Sequence, residues 1–239
     1  MASLRSRRAL AVLIAVFLFI TFARLNSGNA REYWLYFTTE RKPATLDLLS
    51  LSEEWTESRL SAEFPGFPIG CYPYQGPLRV QRACGVDVKS ANGVSTLYMS
   101  FFFDQGHLSE VSINVPWWSH KKAYTYLITT LGDPLDSQPR WHAGVRLHGW
   151  KLGDGSAVFF NRDRPLNPLR WNAIYWRSAS ACKRDGCFID RGSTGRLSRS
   201  DAGHSTRAIA SVGRSGVTHP SSALAAAHTL RHANYGELK

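Results

Sequence analysis

The chain has 239 residues, of which 44% are hydrophobic and 20% charged, and its formal net charge is +11. This is the composition of a globular protein with enough residues to bury a sizeable core. The positive charge is concentrated at the two ends, since residues 31–182 carry sixteen basic and fourteen acidic residues. The charge distribution therefore argues against a nucleic-acid-binding face on the central part of the chain.

Residues 1–30 have the features of an export signal. An arginine cluster at residues 5–8 precedes an uncharged run, 9–23, and the small residues Ser27-Gly28-Asn29-Ala30 follow. One interpretation is a signal peptide that is cleaved after Ala30. The other is an uncleaved membrane anchor, an N-terminal membrane helix with its apolar core at 9–23.

We favour the anchor on the length of the run and its flanks. The run is long for a signal peptide, and Arg24 interrupts the approach to the cleavage site. It is shorter than the ~20 residues that cross a bilayer squarely, but flanking arginines can snorkel and the bilayer can thin. In both interpretations the positive-inside rule places the rest of the chain outside the cytoplasm. The expected location is the inner membrane with the domain in the periplasm, or the free periplasm after cleavage.

All four cysteines lie in the part of the chain that would be exported. An even number in an oxidising compartment predicts two disulfides, and three pairings are open. We favour Cys71 with Cys84 and Cys182 with Cys187. The alternative is a zinc site formed by all four cysteines, but their spacings lack the paired short knuckles that such sites favour.

The exported part divides into a domain and a tail. The eight tryptophans fall between residues 34 and 176, which marks 31–182 as the core-forming domain. Residues 183–239 are rich in Gly, Ser, Arg and Ala and poor in large apolar side chains. This composition predicts a basic, low-complexity tail that is disordered, because it cannot bury enough surface to offset the entropy of ordering.

The first half of the domain contains signals for one helix and three strands. Ser50 and Glu53 fit a capping box, which predicts a helix over 47–61, and a Pro/Gly-rich loop follows at 64–77. Asn92-Gly93 is a strong hairpin signal. The predicted strands are 78–89, 95–103 and 108–115.

The second half predicts another helix and two or three strands. Ser119 can cap a helix that ends at Leu131, since Gly132 and Pro134 stop it. Strands are expected in the stretch 141–162 and at 171–176. Hairpins joined by a helix predict an α+β fold, an antiparallel sheet with helices packed on one face in a two-layer sandwich.

The stretch 141–162 contains His142 and His148, the residues most suggestive of chemistry. Asp154-Gly155 predicts a two-residue hairpin turn, which would place Trp150 opposite Phe159 and His148 opposite Asn161. An unbroken strand would separate the two histidines by about 20 Å, too far for them to share a metal ion. We therefore interpret the stretch as a structural hairpin and assign no catalytic, cofactor or metal site to the chain.

Two groups of aromatic residues are candidates for a partner-binding surface. Trp117 and Trp118 are adjacent at a strand–helix junction, where both cannot easily point inward. Tyr72 and Tyr74 lie among prolines in the loop before the first strand. Each pair offers contact to a partner or to the bilayer interface.

These features favour a membrane-anchored binding or scaffolding module of a bacterial-type envelope, with another envelope protein as its expected partner, over an enzyme. One alternative is a periplasmic hydrolase that uses His142 or His148, which requires a histidine beside an acid or nucleophile. Another alternative is electrostatic binding of an anionic surface by the basic tail.

Overall fold

A computed structural model describes residues 12–14, 16–17, 21, 27–76, 78–135 and 146–188. Most of the predicted anchor core, His142 and the tail beyond residue 188 lie outside the described residues. Within the described ranges, no helix is both long enough and apolar enough to span a bilayer.

The domain is built on a seven-stranded antiparallel sheet. Its strands are β2 (Ile69–Pro73), β3 (Arg82–Val86), β6 (Tyr98–Asp104), β7 (His107–Val115), β8 (Leu147–Lys151), β9 (Ala157–Asn161) and β10 (Asn172–Arg177). Their order across the sheet is β2-β3-β6-β7-β10-β9-β8. A small second sheet contains β1 (Pro43–Ala44), β4 (Ser90–Ala91) and β5 (Val94–Ser95). The predicted α+β class with an antiparallel sheet is confirmed.

The described helices are α1 (Ser27–Thr38), α2 (Glu57–Glu63), α3 (His120–Leu131) and α4 (Ala179–Asp185), and a 3-10 turn at Trp117–Ser119 leads into α3. The predicted bounds of α3 are confirmed and Ser119 occupies its N-cap position, but the Ser119 side chain makes no capping hydrogen bond. Gly132 ends it with a φ of 80°, and its amide donates to Ile128 O. Glycine adopts this conformation without the strain that a Cβ would add.

The main core lies between one face of the sheet and α3 with the segment before β2. Alternate residues of β7, namely Val111, Ile113 and Val115, point into this core together with Ala123 and Leu127 of α3. The period of two in the strand and the three-to-four residue spacing in the helix therefore bury the same layer from both sides. α1 and α4 contact side chains of the opposite sheet face.

The prediction of a helix over 47–61 is wrong in its position. Helix α2 begins only after Thr56, whose side chain accepts a hydrogen bond from Arg59 N. The carbonyl oxygens of Glu53 and Trp55 both accept from Leu108 N at the start of β7. Because those carbonyls bond to a strand of the sheet, they do not form the hydrogen bonds of an earlier helix. The hydroxyl of Ser50, the first residue of the predicted capping box, donates to Asp47 O.

Strand β2 lies within the segment that the sequence predicted to be a loop, 64–77. It pairs with β3 at the edge of the sheet, where Cys71 lies opposite Cys84. An edge strand tolerates Pro73 because one side of its backbone needs no partner strand. The disulfide Cys71–Cys84 joins these two strands directly.

The helices at both ends cross the predicted domain boundaries. α1 spans the proposed cleavage point after Ala30, and its Tyr33 and Tyr36 are buried. α4 continues past residue 182, and Cys187 is buried and bonded to Cys182. The ordered domain therefore extends into the region predicted as tail, at least to residue 188.

The two hairpin signals have different outcomes. Asn92 and Gly93 have φ values of 52° and 74° and form the predicted tight turn, although it joins β4 to β5 in the small sheet. The Asp154-Gly155 prediction is wrong by one residue in register, since Trp150 pairs with Val158 and His148 with Phe160.

The register of the β8–β9 hairpin follows from hydrogen bonds within its loop. Leu152 N donates to Ser156 O at 2.9 Å, and Asp154 Oδ1 accepts from both the backbone and the hydroxyl of Ser156. Gly155 has a φ of 89°, while Asp154 is not among the residues with positive φ. A two-residue type I′ turn needs positive φ at both positions, so a longer loop forms and the faces of β9 are exchanged relative to the prediction.

Candidate functional site

Two buried tyrosines attach α1 to the domain. Tyr33 OH accepts a hydrogen bond from Trp117 N at 3.2 Å and donates to Arg170 O at 3.5 Å. Tyr36 OH donates to Lys89 O at 3.2 Å, and the Lys89 ammonium lies 4.2 Å from the centre of the Tyr36 ring. Burial raises the pKa of Tyr33, so its hydroxyl keeps its proton at neutral pH. These contacts hold α1 in a defined orientation.

The outer side of α1 carries exposed aromatic side chains. Trp34 is 69% exposed and Phe37 is 66% exposed, and their spacing of three residues places them on one side of the helix. Trp118 is 46% exposed and stacks on Phe37 with ring centres 5.6 Å apart. We call Trp34, Phe37 and Trp118 the aromatic patch. Clustered exposed aromatic side chains are typical of interaction surfaces.

Trp117 has a different environment from its neighbour. It is half-buried, its Nε1 donates to Pro165 O at 2.5 Å, and the Arg164 guanidinium lies 4.0 Å from the ring centre. Leu166, which follows in the same loop, is fully exposed. Of the two adjacent tryptophans, Trp117 is therefore anchored to the loop and Trp118 is exposed.

Tyr72 and Tyr74 lie in a cluster separate from the aromatic patch. Tyr72 is buried, and Tyr74 is half-buried with its ring 5.3 Å from that of Phe102 in an edge-on contact. Burial raises the pKa of Tyr74 to about 12. These tyrosines pack against β3 and β6, and the structure does not join them to Trp117 and Trp118 in one surface.

His148 lies beside α3 at the sheet edge. Its ring stacks on Tyr124 with centres 4.7 Å apart. Asn161, the residue that the sequence placed opposite His148, is instead contacted by another histidine, since His120 Nε2 lies 2.9 Å from Asn161 O. Burial, followed by the charges of Arg162 and His120, lowers the pKa of His148.

The lowered pKa of His148 predicts a loss of stability in mild acid. Just below the ordinary histidine pKa of 6.5, the unfolded chain binds a proton at this site more readily than the folded chain, so stability falls as pH drops through that window. We expect His148→Phe, which can keep the stack on Tyr124, to reduce this loss by a few tenths of a kcal/mol. Urea titrations at pH 7.5 and pH 5.5 measure it, and an unchanged pH dependence in the variant would contradict the assignment.

Glu110 and Arg177 form a buried ionisable pair on the sheet face opposite α3. They occupy paired positions on β7 and β10, and Arg177 Nε lies 3.4 Å from Glu110 Oε2. Arg177 Nη2 also donates to Asp185 Oδ2 at 2.5 Å, which connects the sheet to α4. Burial raises the pKa of Glu110 to about 8, although the charge of Arg177 lowers it and that of Asp185 raises it further.

The pKa of Asp185 moves in the opposite direction. Burial opposes its ionisation, but hydrogen bonds from Arg177 and Arg184 outweigh burial and lower the pKa. Asp185 is thus the ionised partner of Arg177 at neutral pH, while Glu110 holds a proton. The group of Glu110, Arg177 and Asp185 joins β7 and β10 to the disulfide-bonded helix α4. Its described contacts include no nucleophile, so we assign the group a structural role.

The four cysteines form the two favoured disulfides, Cys71–Cys84 and Cys182–Cys187. Glu57 places a carboxylate oxygen within 4.8 Å of the sulfurs of Cys71 and Cys84. Thiolates, and not disulfide sulfurs, are the ligands that zinc prefers. The bonded sulfurs therefore do not support the four-cysteine zinc alternative.

Comparison with protein-family models, with curated proteins and with solved structures finds no match for this chain. The aromatic patch, with α1 as its support, is the candidate functional site on chemical grounds. Sequence reasoning found Trp118 but missed Trp34 and Phe37. The signal that could have found them is the aromatic segment Tyr33–Phe37, in which the two buried tyrosines are three residues apart and so are the exposed Trp34 and Phe37.

Proposed function

We propose that this chain is an exported domain that is tethered to a membrane through residues 9–23 and acts as a non-catalytic binding or scaffolding module of a bacterial-type envelope. The observation that carries the proposal is the aromatic patch. Three large aromatic side chains are exposed on or against a helix that is fixed to the domain by Tyr33 and Tyr36. Rigid, exposed aromatic groups provide contact area at little entropic cost, as binding surfaces require.

The disulfides support the extracytoplasmic part of the proposal. Two disulfides and no free cysteine are typical of a protein in an oxidising, extracytoplasmic compartment. An inner-membrane tether with the domain in the periplasm fits this compartment and the apolar run near the N-terminus.

The two alternative functions gain less support. A hydrolase needs a histidine beside an acid or nucleophile, whereas the described ring contacts of His148 are with Tyr124 and Trp150. His142 and the tail beyond residue 188 lie outside the part of the chain that the structure describes. We therefore retain the binding module as the proposed function.

Localisation in a bacterial host tests the tether and the direction of export. We expect the full chain, tagged after Lys239, to stay in the membrane pellet after alkaline carbonate extraction. Protease added to intact spheroplasts should remove the tag, because the tail would lie outside the cytoplasm. The matched control, Ile14→Arg with Phe17→Arg, should lose membrane retention, since charges at these positions oppose insertion. A wild-type chain that carbonate extracts, or whose tag is protected, would refute the tether.

A further inference from the structure

Helix α1 carries aromatic side chains on two neighbouring sides, roughly 100° apart around its axis. Tyr33 and Tyr36 are buried against the domain, whereas Trp34 and Phe37 are exposed on the outer side. Trp118 extends this outer surface by stacking on Phe37. A helix with one aromatic side packed against its domain and a neighbouring side left exposed can contact the domain and a second apolar phase at the same time.

The sequence before α1 indicates which phase this is. The uncharged run 9–23 ends eleven residues before Trp34. Residues from Ser27 to Trp34 lie in α1 and rise about 1.5 Å each, so the whole connection from residue 23 to Trp34 measures no more than about 25 Å. If the run is embedded in a bilayer, this connection lets the aromatic patch reach the headgroup layer, about 5–8 Å thick on each side, when α1 lies along the membrane surface. Tryptophan is enriched in this layer because its ring is apolar and its N–H is polar.

The charges near the patch favour an anionic surface. Arg31 is exposed on α1, and the exposed Lys121 and Lys122 follow Trp118 by three and four residues. The acidic residue of α1, Glu32, is buried, and the nearest exposed acid along the chain is Glu40. Exposed basic side chains next to aromatic ones are attracted to the anionic headgroups of a membrane.

We propose that the aromatic patch inserts into the headgroup layer of the membrane that holds residues 9–23, with Arg31, Lys121 and Lys122 on anionic lipid. Helix α1 then lies along the membrane surface, and the domain rests on the bilayer instead of standing away from it. The inference depends on the proposed tether and adds the lipid surface as the partner of the patch.

Quenching of tryptophan fluorescence by brominated lipid tests this docking on the full chain. The protein is reconstituted in nanodiscs of phosphatidylcholine and phosphatidylglycerol with bromine either near the headgroup end of the acyl chains or near the bilayer centre. Bromine quenches only tryptophans that it contacts, so the buried Trp55, Trp150 and Trp176 stay bright. We expect stronger quenching by bromine near the headgroups. Trp34→Ala with Trp118→Ala should lose most of that quenching, and Leu49→Ala, which changes an exposed apolar residue outside the patch, should keep it.

The outcomes separate failure of the docking from failure of the tether. Quenching that disappears in the double variant and persists in Leu49→Ala supports docking, and a weaker effect in pure phosphatidylcholine supports the role of the basic residues. If the protein incorporates into nanodiscs but wild type and double variant are quenched equally, docking is refuted and the tether stands. Lipid docking is also refuted if the tryptophans of the patch become protected from solvent only when other membrane proteins are added. If the full chain does not enter nanodiscs, both proposals fail.

Discussion

Replacing Cys71 and Cys84 together with alanine is expected to lower the free energy of unfolding by about 3 kcal/mol. The bond closes a loop of 13 residues, and its removal gives the unfolded chain more conformations. It also ties the edge strand β2 to β3 at a point where Cys84 is fully buried. Urea unfolding of the oxidised protein, followed by tryptophan fluorescence, measures the loss.

The second disulfide provides the matched comparison. Cys182–Cys187 closes a span of only 5 residues, so its double alanine variant is expected to lose less, about 2 kcal/mol by the same chain-entropy argument. The two variants remove the same chemistry and differ in the length of chain that is constrained. A larger loss for the Cys182/Cys187 variant would contradict the chain-entropy argument, in which the disulfide that closes the longer loop stabilises the fold more.

The second large effect concerns pH, and it originates at Glu110. The ordinary pKa of a glutamate is 4.5, and burial raises that of Glu110 to about 8. Between these values the folded chain holds a proton that the unfolded chain has released, so folding stability decreases as pH rises through this window. Since one pKa unit corresponds to about 1.4 kcal/mol, the loss between pH 5 and pH 8 amounts to several kcal/mol.

Glu110→Gln removes the ionisable group and keeps the shape of the side chain. We expect the variant to be more stable than wild type above pH 8 and to lose the decline in stability between pH 5 and pH 8 that Glu110 causes. Glu57→Gln is the control, because Glu57 pairs with Arg82 at the surface and should change stability by less than about 1 kcal/mol. The urea concentration at the midpoint of unfolding, measured for wild type and both variants between pH 5 and pH 9, tests this expectation. If the stability of Glu110→Gln fell between pH 5 and pH 8 as steeply as that of wild type, the raised pKa of Glu110 would be contradicted.

Local patterns predicted the elements of the fold where the local signal agreed with the tertiary environment. β6, β7 and α3 were predicted because alternating or helical apolar spacing coincides with the faces that are buried. The tight turn at Asn92-Gly93 was predicted because few residues adopt positive φ without strain.

The errors arose where distant partners decided the structure. The backbone carbonyls before α2 bond to Leu108 at the start of β7, some fifty residues later, which no local helix signal reveals. β2 has a turn-rich composition and becomes a strand because β3 pairs with it. A single side chain, that of Asp154, stabilises a longer loop and changes the register of an entire hairpin.

The candidate site was predictable only in part. The sequence indicated that one of Trp117 and Trp118 is exposed, but it did not say which one. Two contacts in the structure answer this: Trp117 is held by its hydrogen bond to Pro165, and Trp118 stacks on Phe37. The pairing of Glu110 with Arg177 depends on the register of β7 and β10, which are separated by more than fifty residues. Such a contact cannot be read from either strand alone.

The intact mass of the native protein, measured from membrane and soluble fractions after alkylation without reduction, would decide whether this is an exported, membrane-tethered domain. We expect the full-length chain of 26.7 kDa in the membrane fraction with no alkylated cysteine. A soluble chain that lacks residues 1–30 would contradict the tether. Four alkylated cysteines in either fraction would contradict export itself.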